Sequence, residues 1–264
     1  MKTHTTPSIR LGILAASILG FTAISSHAAV VTWGAAQNIT GDSDVSTAGS
    51  LVGAFNVGST SPAPVSSTLV NTVLFQSFAV PNNGGGPVTV GNFTLAPDGG
   101  GAIISNNTAG GAGVGPFTTL SSNYRTLLAA VVQSASATPS LTLTMSGLSV
   151  GSQYQFEWWS NNSGAPNGFL TTATAGGAVT LSSETAFGPG GLGQFALGTF
   201  TANASAQAIT FSGAGFLNGF QLRQIPAASA VPEPGSALAG LLALGVCLSG
   251  LAGRSRRQNA AVIA

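Results

Sequence analysis

Two stretches decide the fold: Ser140-Leu141-Thr142-Leu143-Thr144-Met145-Ser146 and, beyond a short turn, Gln153-Tyr154-Gln155-Phe156-Glu157-Trp158. Apolar side chains take every second position in each, Leu141, Leu143 and Met145 in the first and Tyr154, Phe156 and Trp158 in the second. A period of two marks a strand with one face buried. Gly147 and Gly151 bracket the link between them, as a turn between paired strands requires. Outward from this pair, residues 30–33, 51–57, 69–80, 88–95, 195–201, 208–212 and 216–225 show similar short apolar runs. Breaks rich in Gly, Asn and Pro separate them at 81–87, 99–101 and 188–193. Only residues 124–133 suit a helix, and a strand fits there as well. The pattern predicts an all-β fold, a single jelly-roll-like β-sandwich over residues 29–226, without internal repeats.

Charge is scarce and unevenly placed. The chain has 264 residues, of which 5% are Asp, Glu, Lys or Arg, against about 25% in an ordinary soluble domain. Lys2 and Arg10 lie at one end, Arg254, Arg256 and Arg257 at the other. Between them only Arg125 and Arg223 face Asp42, Asp44, Asp98, Glu157 and Glu184. Two arginines make no basic face, so nucleic acid is excluded as a partner. His4, His27 and Cys247 all fall in the terminal segments. The middle therefore offers no Cys/His zinc site, no disulfide, no P-loop lysine and no histidine base, and no cofactor is expected.

The ends read as addresses. Residues 1–28 have a basic start, an apolar run over 11–24 and Ser26-His27-Ala28 before Ala29, the layout of a secretory signal cut by signal peptidase. Residues 227–230 form a small-residue linker to the segment 231–257. That segment begins with Pro232-Glu233-Pro234 and continues through residues 235–253, which carry no charge. As a helix this span reaches roughly 28 Å, about the thickness of a hydrocarbon core. Arg254, Arg256 and Arg257 would hold its far end in the cytoplasm and leave the middle outside.

Pro-Glu-Pro, apolar span and arginine cluster, in that order, resemble the PEP-CTERM sorting signal of Gram-negative bacteria. The resemblance implies a protein held transiently in the inner membrane and cut near Pro232-Glu233-Pro234 by an exosortase-type transpeptidase. Its destination would be the cell surface or the extracellular matrix. The tail 258–264 departs from the pattern, which usually ends soon after the arginines. The segment is also known as the ice-binding protein C-terminal domain, but unrelated exported proteins share it and it transfers no ice affinity. An ice-binding face needs Thr-x-Thr ladders, and Thr142-Leu143-Thr144 reads as solitary. Residues 38–47 resemble the opening of a group of PEP-CTERM ectodomains. Residues 148–154, 208–212 and 217–223 are similar to strands of galactose-binding-like sandwiches, which implies a fold of the carbohydrate-binding-module type.

Several motifs remain to be weighed. Gly147-Leu148-Ser149-Val150-Gly151 fits a nucleophile elbow, but no histidine stands by to take the serine proton. The glycines of residues 188–193 fit a dinucleotide fingerprint but lack the βαβ unit it belongs to. Asp42 and Asp44 are weak calcium candidates, with a polar turn as the plainer reading. Glu157 and Glu184 could serve a carboxylate-dependent glycan hydrolase or lyase, or be solvated charges. Trp158 and Trp159 must point to opposite faces of a strand. If Trp158 is in the core, Trp159 is an exposed platform for sugar stacking, flanked by Asn161, Asn162 and Glu157, or else lies under a loop. The expected function is an exported, exosortase-sorted, non-enzymatic surface or matrix protein that binds polysaccharide, with the glycan hydrolase or lyase as alternative.

Overall fold

A computed structural model describes residues 28–82, 86–98, 102–107, 114–134, 140–164, 168–185, 188–213 and 216–226. The signal segment up to residue 27, the linker 227–230, Pro232-Glu233-Pro234, the apolar span 235–253, Arg254, Arg256 and Arg257 lie outside the described residues. Among the described residues no helix is long and apolar enough to cross a membrane.

The structure is an all-β sandwich. Its larger sheet runs β1 (Thr32–Trp33), β14 (Gln194–Thr201), β11 (Gln153–Ser160), β16 (Gly219–Ile225), β3 (Ser50–Ser59), β5 (Val73–Val80) and β4 (Thr68–Val70), with β2 (Gln37–Asn38) also on β14. Its smaller sheet runs β13 (Gly177–Ser182), β12 (Leu170–Ala175), β15 (Ala206–Gly213), β10 (Ser140–Ser146), β7 (Phe93–Pro97) and β6 (Val88–Val90). A short pair, β8 (Ile103–Asn106) and β9 (Val131–Ser134), stands apart. All pairs are antiparallel except β3 with β5.

The alternating stretches are paired as their pattern demands, though not with each other. β10 lies between β7 and β15 in the smaller sheet, while β11 lies between β14 and β16 in the larger. The turn at Gly147 and Gly151, both at positive φ (72° and 85°), thus carries the chain from one layer to the other. Inward side chains of both sheets meet in one aromatic core: Phe55 packs on Phe93 at 4.8 Å, and Trp158 meets Phe211 edge-on at 5.0 Å.

Three runs resolve more finely than their sequence suggests. Residues 69–80 hold two strands, because Asn71 and Thr72 turn the chain at φ 44° and 65°. Residues 88–95 likewise fold back at Gly91. Residues 124–133 contain both of the structures weighed for them: helix α1 (Ser122–Ala129) and then β9. Ser121 caps that helix, its hydroxyl oxygen accepting from the Tyr124 N–H at 3.1 Å.

Candidate functional site

The outer face of the larger sheet is where the sequence places a sugar platform, and the structure corrects that expectation. Trp158 and Trp159 do point to opposite faces. Trp159, however, is 0% exposed. Helix α1 and a 3-10 turn at Pro116–Thr119 cover this face, burying Phe117, Leu120, Tyr124, Leu127 and Leu128 against Trp159, Phe75 and Phe195. The apolar spacing of Tyr124, Leu127 and Leu128, three and then one apart, is that of a helix stripe seeking a partner. The sequence marks residues 124–133 as suited to a helix, but not the sheet face that this helix covers.

Asn161, the second expected sugar ligand, is also buried and works as a joint. Its Oδ1 accepts from Gly193 N–H at 3.0 Å and from the Ser163 hydroxyl at 3.1 Å, and its amide donates to the Leu128 carbonyl at 3.2 Å. Asn162 is half-buried, and its backbone N–H donates to the Ser183 carbonyl at 2.9 Å. No open site gathers these residues.

Glu157 is 1% exposed, beneath a strap of chain at residues 45–49. Its Oε2 accepts from the Ser46 N–H at 3.1 Å and from the Gln221 amide, while Oε1 is buried without a hydrogen bond. Gln155 accepts the Ser46 hydroxyl at 2.6 Å. Arg223 donates to the carbonyls of Ala48 (2.6 Å), Thr47 (3.1 Å) and Gly49 (3.1 Å), and at 3.3 Å to Gln221 Oε1. Gln221 therefore stands between the buried acid and the buried base. Burial pushes the Glu157 carboxyl up from 4.5 to about 7, against the pull of the Gln221 and Ser46 hydrogen bonds. Glu184 sits beyond β13, with its backbone tied to Ser182, and shares no partner with Glu157.

Asp42 and Asp44 close a turn. Asp44 accepts from the backbone of Thr40 (2.7 Å) and Gly41 (3.0 Å), the Thr40 hydroxyl (2.6 Å) and Tyr124 Oη (3.2 Å). Asp42 accepts the Ser121 hydroxyl at 2.7 Å. Among the described residues no group of three acidic, His or Cys side chains could hold a metal ion.

The smaller sheet is different: its outer face is open. Adjacent strands line up Thr180, Thr172, Ser212 and Ser140 in one row, and Ala178, Thr174, Thr210, Thr142 and Ala96 in the next. A third row holds Ala208, Thr144, Thr94 and Thr89. Every one of these side chains is exposed or half-buried, and none is charged. Hydroxyls pair across strands, Thr142 with Thr210 at 3.0 Å, Thr172 with Thr180 at 2.8 Å and Thr89 with Thr94 at 2.9 Å. Asp98, at the border, accepts the hydroxyls of Ser140 and Thr142. Thr142-Leu143-Thr144 is solitary neither in space nor along the chain, where Thr172-Ala173-Thr174 repeats the pattern on the same face, which corrects the sequence reading. The two Thr-x-Thr strands, β10 and β12, are joined into one ladder by β15 between them, a neighbourhood that neither motif announces.

No family model and no curated protein matches the chain. Among solved structures, the enzymatically active domain of tailspike protein 4 of bacteriophage CBA120 aligns over 52% of this chain and 20% of its own, at 12% identity and a TM-score of 0.28. A structure from a study of promiscuous carbohydrate-binding modules of the β-sandwich superfamily aligns over 57% of this chain and 71% of its own, at 12% identity and a TM-score of 0.15. The matched part is a fifth of the tailspike chain. At such scores neither likeness bears on function, which rests on the side chains.

Proposed function

We propose that this chain is an exported, non-enzymatic surface or matrix protein that holds neutral polysaccharide on the open face of its smaller sheet. The observation that carries the reading is the continuous, uncharged field of threonine, serine and alanine over six strands. An ordinary soluble surface is about 25–35% charged. A field without charge leaves hydroxyls and methyls, which suit the hydroxyl edges and C–H faces of an extended sugar chain. Anionic glycans are disfavoured, since no Lys or Arg stands in the rows of this face and Asp98 borders it. The strand order supports a jelly roll: β3, β7, β11, β12, β13, β14, β15 and β16, numbered one to eight, lie as one-eight-three-six and two-seven-four-five, with β10 inserted after the second. The sealed Glu157, held by Ser46 and Gln221 under the strap, supports a non-catalytic role.

Export and sorting rest on the terminal segments. Signal peptidase would remove the first 28 residues, and an exosortase-type transpeptidase would act near Pro232-Glu233-Pro234 after transient anchoring in the inner membrane. The test is retention of the full-length chain, in detergent, on immobilised neutral polysaccharides. Retention that is lost in Thr142→Lys/Thr210→Lys supports the reading. Retention unchanged in that variant, or absent from every neutral glycan, overturns it. Sorting is tested by Arg254→Ala/Arg256→Ala/Arg257→Ala in the native host, which should leave the uncut chain in the inner membrane.

The same ladder favours a second reading, adsorption to ice, because neighbouring members of each row stand about 4.8 Å apart from strand to strand. Sheet twist disturbs that repeat over several strands and places this reading second. Thermal hysteresis of the purified chain, abolished by the same lysine variant, would support it.

A further inference from the structure

The apolar cover over Trp159 gives way to the strap at residues 45–49 over Glu157 and Gln155, and near β1 Thr32 and Thr201 on the outer face of the larger sheet are exposed. A cleft of about 370 Å³ lies there, lined by Thr32, Gln153, Thr199, Thr201, Asn203 and the exposed Val30. Register explains the gathering: Thr32 is opposite Thr199 and Gln153 is opposite Thr201, so the four side chains share one face. Asn203 enters from the turn between β14 and β15.

The polar groups here are unspent. Among the described residues the side chains of Thr32, Gln153, Thr199, Thr201 and Asn203 make no hydrogen bond within the protein. The comparable cleft beside Val65, about 330 Å³, differs in kind. Its Asn107 spends its amide on the carbonyls of Ser59 and Ala63, and its Oδ1 on the Ser59 N–H. The threonines of the open ladder also satisfy one another. In a concave site, convergent polar groups with no partner in the protein are free to fix the orientation of a small ligand.

We propose that this cleft is a second binding site, which takes a single neutral sugar unit or a chain end of the same polysaccharide. Only the ligand class rests on the function proposed above; the site stands on its own geometry. No lining side chain is charged, so the ligand is neutral. Each of the two amides offers two donors and an acceptor, which matches neighbouring hydroxyls that both give and receive. Val30, 65% exposed, supplies an apolar wall for the C–H face of a ring. Phe200 lies in the lining but stacks inward on Tyr154 at 5.5 Å, so the site has no aromatic platform and its affinity comes from hydrogen bonds.

The experiment titrates the full-length chain in detergent with neutral oligosaccharides of two to six units, by calorimetry and by amide hydrogen exchange. Protection is expected at residues 29–33, 152–155 and 198–204. Gln153→Ala/Asn203→Ala should weaken binding about tenfold or more, with an unchanged melting temperature because those side chains hold nothing in place. Thr142→Lys/Thr210→Lys should leave oligosaccharide affinity within about twofold. Protection confined to the threonine face, an unaffected cleft variant, or retention on polysaccharide without any oligosaccharide binding overturns the cleft alone. Failure of polysaccharide and oligosaccharide together overturns the cleft and the proposed function.

Discussion

The indole N–H of Trp159 donates to the hydroxyl oxygen of Tyr124 at 2.9 Å, and that hydroxyl donates to Asp44 Oδ2 at 3.2 Å. This relay ties sheet, helix α1 and the turn at Asp42–Asp44 through one buried phenol. Burial, and next the Asp44 carboxylate, push the Tyr124 phenol well above its ordinary value, so it remains a donor at any working pH. Trp159 is thus a structural centre, and its loss acts through stability.

Tyr124→Phe leaves the Trp159 N–H buried without an acceptor and takes a donor from Asp44. It should cost about 1–3 kcal/mol, read as a lower urea midpoint with an unchanged slope, while polysaccharide retention persists. Trp159→Ala should cost about 3–5 kcal/mol. Loss of retention in a well-folded Tyr124→Phe protein would show that the covered face does bind.

Glu157 gives the fold a pH dependence. Its carboxyl is raised by burial and by Asp44, and lowered by Gln221, Ser46 and Arg223, with burial winning, from 4.5 to about 7. A raised folded pKa means that the folded state holds the proton more tightly than the unfolded chain. The stabilisation is complete below about pH 4.5, is lost as pH rises to 7, and is absent above that. The span amounts to about 3 kcal/mol. Chemical denaturation from pH 4 to 8 should show that decline in the native protein and a much flatter profile in Glu157→Gln. A native profile that rises over this range would refute the assignment.

The sandwich was legible where large side chains alternate with polar ones, as in Leu141, Leu143 and Met145 or Tyr154, Phe156 and Trp158. It was illegible at β12 and β13, where the inward positions of β12 are Thr171, Ala173 and Ala175 and leave no hydrophobic contrast to read. The face of Trp159 was inferred correctly from strand geometry, but exposure depends on what packs above. That cover comes from residues 116–128, some thirty residues earlier and helical. The threonine face and the cleft at Gln153 both arise from register between distant strands, which single-strand periodicity does not encode.

Arg223 holds a strap that has no strand pairing of its own. Its guanidinium reaches three consecutive carbonyls, Thr47, Ala48 and Gly49, a reach that needs the planar fork. Arg223→Lys keeps the charge but not the geometry. Amides of residues 46–49 should then exchange at least tenfold faster while those of β11 and β16 remain protected. Uniform acceleration across the sandwich would instead mean that the strap and the sheet open together.

Among the described residues, Asn218 has the most heavily used side-chain amide. Its Nδ2 is shared among the carbonyls of Leu128 (2.9 Å), Ala130 (2.7 Å) and Asn161 (2.9 Å), and its Oδ1 accepts the Asn161 N–H at 2.6 Å. It thus joins the end of helix α1, the start of β9 and the end of β11 at a fully buried point. Asn218→Asp is nearly isosteric, yet it turns the donor toward those three carbonyls into an acceptor and buries a charge. A cost of about 3–5 kcal/mol follows, enough to lower the melting temperature by roughly 10 °C in a domain of this size. Part of the loss should return at pH 4, measured against the native protein at the same pH, because a protonated carboxyl regains one donor. Asn218→Ala removes the donors without adding charge and should cost less at neutral pH. If both variants melt together at pH 8, the buried charge is not the cause, and the missing hydrogen bonds account for the whole effect.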